Sequence, residues 1–245
     1  MAEIDGTSPI GEIVEVSTVS FTAQCLADPR PPAPCLFDPP DFGSFVKIGW
    51  SAERGMESRA VKIEVEEEDP FAAPVLSARP EPFYLAPNIT FALVCHAQMS
   101  SFDSTRRASA LGYPSEAELL AHQPQLAELI TTEFSGLLVA FTDPEGCLHR
   151  HLPARPPKIH ARVGLCQPDE TRVLTADLSF LRPLLASASG SISLAPQNEL
   201  VAAALRTAWS AHGRSQAYLL EAGKKLLELL SDDYDRLQAI IESVL

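Results

Sequence analysis

The chain has 245 residues, 46% hydrophobic and 21% charged, which suits a packed core in one large domain or two small ones and excludes a disordered polymer. A formal net charge of −13 disfavours direct binding of nucleic acid, whose phosphates require a basic face. Five cysteines, odd in number and without a CxxC pair, read as reduced thiols rather than a disulfide framework. The chain opens on the acidic Met1-Ala2-Glu3-Ile4-Asp5-Gly6, which has no secretory pattern, and no later stretch reaches the roughly 18 apolar residues of a membrane span. A cytoplasmic protein without a cofactor is expected. Twenty-one prolines gather at 29–40, 70–87 and 153–157, which read as joints between packed pieces.

Residues 10–66 alternate as half-buried strands do. Val19, Phe21, Ala23 and Cys25 share one face, opposite Thr18, Ser20, Thr22 and Gln24. Residues 60–66 repeat the pattern with Val61, Ile63 and Val65, while Val46, Ile48 and Trp50 make a third apolar row. Residues 10–16 are apolar on both faces, as in a closed sheet. Short strands separated by Pro- and Gly-rich turns predict a small closed β-barrel, whose closure removes exposed edges.

The run Ile10-Gly11-Glu12-Ile13-Val14-Glu15-Val16, then Phe21, Pro39-Pro40 and Gly43-Ser44-Phe45-Val46-Lys47-Ile48, resembles the HerA–ATP synthase (HAS) barrel. That family opens on an Ile-Gly-x-Val strand and later turns through Gly-x-Phe/Tyr-Val into another. The resemblance covers about a quarter of the chain and implies a barrel at 1–72 of the kind that precedes the motor of ring ATPases. No motor follows it here. The only Gly-Lys pair, Gly223-Lys224, has Tyr218 where a Walker A loop needs glycine, and GxGxxG, GxSxG and HExxH are absent.

Residues 82–167 read as an α+β unit. A buried strand at 89–98 precedes a helix opened by the Ser115/Glu118 capping box, with Pro124 restarting it toward Leu126, Leu129 and Ile130. A strand at 136–141, a turn at Asp143-Pro144-Glu145-Gly146, a returning strand at 147–152 and a last strand at 159–166 complete the unit.

Cys147, His149 and His151 alternate, with His160 nearby, so zinc ligation is conceivable. Structural zinc favours tighter Cys/His pairs around a turn, so this segment reads as a solvated strand face. Arg150, Arg155, Lys158 and Arg162 occupy a stretch from Cys147 to Gln167 with no acidic residue, and Arg106-Arg107 is a smaller pair. These cations are candidates for an anion, nucleic-acid backbone or acidic partner; ion pairing within so acidic a fold is the preferred account.

Residues 168–245 read as helices packed on the middle unit. Pro196 opens one with Leu200, Val201, Ala204, Leu205, Ala208 and Trp209. A second carries a stripe of Leu219, Leu226, Leu227 and Leu230, and Ser231-Asp232-Asp233 caps a third bearing Tyr234, Leu237, Ile240, Ile241 and Val244. The fold class expected is α+β, with a HAS-like barrel, a middle α+β unit and a helical C-terminal region. The function expected is that of a non-catalytic accessory or adaptor protein, with a HAS-barrel ATPase of the HerA-like kind as its protein partner and self-association as a further option. The alternatives are a metal-dependent hydrolase or nuclease in the middle region, and an anion- or nucleic-acid-binding module on the Arg150 to Arg162 segment.

Overall fold

The computed structural model describes residues 9–26, 39–49, 85–101, 112–124, 129–186 and 197–244. The strand expected at 60–66, Trp50 and the Arg106-Arg107 pair lie outside them. Among the described residues, no helix is long and apolar enough to cross a membrane.

The fold is α+β: among the described residues, a closed six-stranded antiparallel β-barrel is followed by five α-helices. Strands β1 (Gly11–Val16) and β2 (Ser20–Cys25) form a hairpin. Its turn is closed by Ser17, whose Oγ accepts the amides of Val19 and Ser20 at 3.3 and 3.0 Å. Next come β3 (Phe45–Gly49), β4 (Thr90–Ser101), α1 (Glu116–His122), β5 (Ile130–Thr142), β6 (Leu148–His149) and β7 (Arg162–Leu165). Around the barrel the order is β2-β1-β7-β3-β4-β5, and β5 pairs back onto β2 to close it. The barrel that the sequence suggests within 1–72 thus draws three of its six strands from residues 90–165. The HAS-like run supplies β1, β2 and β3, and the 89–98 and 136–141 strands are parts of the longer β4 and β5.

Two local expectations are corrected. Helix α1 opens on Ser115, whose Oγ accepts the Glu118 amide at 3.2 Å, and ends at His122, while the restart expected toward Leu126 lies outside the described residues. Ile130 opens β5, where Ile130-Thr131-Thr132 is a β-branched run that favours a pleated strand. The returning strand at 147–152 shrinks to the two residues of β6, which pair with Phe141 and Thr142 on the edge of β5 that β2 takes at 133–137.

Inside the barrel, Ile13, Phe21, Ala23, Val46, Ile48, Val94, Phe134 and Val163 form one buried cluster. Phe21 and Phe134 meet edge to face with centroids 6.0 Å apart. Gly11 leaves room for this pair, since a β-carbon there would stand 2.8 Å from the Phe134 ring.

The outer wall built by β3, β4 and β5 is apolar as well. Phe45, Phe91, Leu93, Cys95 and Val139 join a second cluster that contains the helices. Those helices are α2 (Pro168–Thr175), a 3₁₀ turn at Leu178–Phe180, α3 (Leu181–Ala186), α4 (Gln197–Ala211), α5 (Gln216–Leu229) and α6 (Tyr234–Val244). The alanines of α4 allow close approach: Gly43, at φ +81°, sits where a β-carbon would meet Ala203. Helix α6 docks through Leu237, Ile240 and Val244, while Arg236 donates to Asn198 Oδ1 at 2.8 Å and to Gln197 on α4. Leu227, expected in the core stripe of α5, is instead 55% exposed, because the buried row of that helix runs through Ala222, Leu226 and Leu230.

Candidate functional site

The connection from β6 to β7 carries the cations singled out in the sequence, and the structure divides them. Arg150 turns inward to the C-terminal end of α2, donating to the Val173 carbonyl at 3.0 Å and the Leu174 carbonyl at 3.4 Å. There its charge meets the negative end of the helix dipole, with Asp177 3.8 Å away. Arg162 on β7 lies 3.7 Å from Glu12 of β1, and the other oxygen of that carboxylate is 2.7 Å from His160 Nδ1. These two arginines are therefore held by the fold.

Arg155 and Lys158 behave differently. Both are exposed, and neither has an ion-pair partner among the described residues. In the same loop Leu152 and Ile159 are 42% and 50% exposed. The loop is fixed at both ends: by Arg150, and by His160, which adopts φ +67° and donates its amide to Ile13 O at 2.9 Å. Histidine is among the non-glycine residues found more often in that left-handed region. Lys158 closes the adjoining turn, its carbonyl accepting the Ala161 amide at 3.1 Å. Pro153, Pro156 and Pro157 restrict the backbone between the anchors.

The Cys147, His149 and His151 segment gathers around an aromatic ring. His149 stacks on Phe141 with centroids 4.9 Å apart, and His151 meets the same ring edge-on at 5.3 Å. His149 Nε2 lies 2.9 Å from Asp143 Oδ2, while Asp143 Oδ1 accepts the amides of Cys147 at 2.8 Å and Glu145 at 3.1 Å. The imidazole of His149, helped by these amides, holds the Asp143 carboxyl below its usual range. This carboxylate closes the β5–β6 turn. Among the described residues no group of three or more His, Cys, Asp or Glu side chains is placed to hold a metal ion.

Two polar clusters escaped sequence reasoning. Lys47, on the outer face of β3, places Nζ 2.8 and 2.9 Å from the two carboxylate oxygens of Glu170 on α2. Glu170 also accepts the Gln167 amide at 2.7 Å, and burial pushes the adjacent Cys166 thiol well above its ordinary range. Elsewhere, the Thr175 hydroxyl donates to Thr171 O at 2.7 Å and so accepts from His212 Nε2 at 3.1 Å. The His212 ring stacks on Tyr218 at 3.9 Å, and the Tyr218 hydroxyl donates to Thr175 O at 3.1 Å. The residues of each cluster stand far apart in sequence, so neither leaves a local motif. Both join secondary-structure elements: the first ties the barrel to α2, the second ties α2 to α4 and α5.

Comparison with protein-family models finds no match to this chain, and comparison with curated proteins finds no relative.

Proposed function

We propose that the protein is a non-catalytic accessory protein whose barrel is of the HAS type and serves protein–protein assembly, with a HerA-like ring ATPase of DNA processing as the partner class. The observation that supports this reading is the closed six-stranded barrel in which the resemblance-bearing glycines have no room for a side chain, Gly11 against Phe134 and Gly43 against Ala203. The face assigned to assembly is the β1–β2 hairpin. Helices cover the β3–β4–β5 wall, whereas the β1–β2 hairpin presents Val14 and Val19, 42% and 46% exposed.

Capture experiments with the isolated barrel region and the intact ring of a HerA-like ATPase test the proposal. Retention by either, lost in V14E/V19E, is the expected result. Absence of capture by both, with light scattering reporting a monomer throughout, rejects it.

A further inference from the structure

The loop between β6 and β7 offers a second surface, separate from the barrel face assigned to assembly. In a chain of net charge −13, the segment from Cys147 to Gln167 contains no acidic residue. Two of its cations are consumed by the fold; Arg155 and Lys158 project with no partner among the described residues. The same loop carries the exposed aliphatic side chains Leu152 and Ile159. We propose that this loop docks an acidic peptide segment of a partner protein, Arg155 and Lys158 taking its carboxylates and Leu152 and Ile159 its apolar side chains.

Three physical arguments favour this occupant. Charge complementarity is local and steep: an acidic peptide short enough to stay on the loop meets the cations and avoids the acidic remainder of the surface. Preorganisation lowers the cost of binding, since three prolines and the two anchored ends hold the loop before the partner arrives. Finally, the loop has aliphatic side chains where single-stranded nucleic acid would need stacking platforms, as no Phe, Tyr or Trp lies between Leu148 and Gln167. A long polyanion or an anionic bilayer would also meet the repulsion of a chain whose net charge is −13.

Fluorescence anisotropy with the full chain decides the matter. The probes are short labelled peptides alternating Asp/Glu with Leu, Asp/Glu with Ser, or Ser with Gly. The acidic Leu peptide should bind tightest and weaken as salt rises. R155E/K158E should raise its Kd about ten-fold or more, with R155Q/K158Q intermediate, and L152S/I159S should raise it several-fold and abolish the preference for Leu over Ser. All the changed side chains are exposed, so the thermal midpoint should not move. Equal binding by R155E/K158E, no preference over the neutral peptide, or tighter binding of single-stranded DNA or phosphatidylserine vesicles overturns the proposal. The peptide readout involves no ATPase, so its failure is distinct from failure of the assembly reading.

Discussion

A β-carbon added to Gly43 would lie 2.4 Å from the β-carbon of Ala203 and 2.7 Å from the Ala203 carbonyl carbon. The turn that leads into β3 therefore rests directly on the backbone of α4, and barrel and helices share a contact with no slack. G43A combines overpacking, about 1–3 kcal/mol, with a left-handed backbone, about 1–2 kcal/mol, so the expected loss is about 2–5 kcal/mol in urea denaturation. G43A/A203G should recover only part of it, because the Ala203 backbone remains in the way.

The Lys47–Glu170 pair should reveal its worth through the partner left behind. Glu170 is 9% exposed, so K47M strands a carboxylate whose remaining donor among the described residues is the Gln167 amide. A loss of about 2–4 kcal/mol is expected, below that of a fully buried pair because Lys47 retains some water. K47M/E170M should be more stable than K47M alone. A double-mutant cycle by chemical denaturation measures both effects.

Cysteine alkylation should follow burial. Burial pushes the Cys25 and Cys95 thiols up to about 11 and that of Cys166 well above the ordinary range, whereas Cys147 is exposed. At pH 8 the first three offer little thiolate. Iodoacetamide labelling of the native protein in a Cys35→Ser background should modify Cys147 about ten-fold faster than Cys95, as read by peptide mass spectrometry. Unfolding should abolish the difference.

Burial, with help from the nearby charge of Arg172, lowers the pKa of His212. A depressed folded-state pKa means that the unfolded chain takes up the proton first. The stabilisation is complete above the unfolded value near 6.5 and is lost as pH falls through the lower folded value. Stability should therefore decline as pH falls below about 6.5, and H212Q should make that decline shallower at the cost of stability at neutral pH. Denaturation midpoints across this range check it.

Much of the barrel was legible because its signals are local. The alternation through Phe21 and Ala23 marks β2, and Gly11 and Gly43 stand where close packing later requires them. The insertion of β7 between β1 and β3 left no such trace, since pairing is a property of distant partners such as Gly11 and Val163. The candidate surface was half legible for the same reason. Arg150 and Arg155 look alike in the sequence, and only the placement of α2 draws one inward and leaves the other facing water. Leu227 was misplaced because a leucine every three or four residues fits more than one face of a helix, and α4 and α6 decide which is covered.

The position of β7 has a consequence for the birth of the chain. Synthesis proceeds at about 5–20 residues per second, so the stretch from Gly49 to Leu165 takes roughly 6 to 23 s to emerge. For that interval the edges of β1 and β3 that β7 will occupy lack their final neighbour. The nascent chain is thus open to edge-to-edge association while it is being made, a hazard that disappears when the last strand slots between the first and the third.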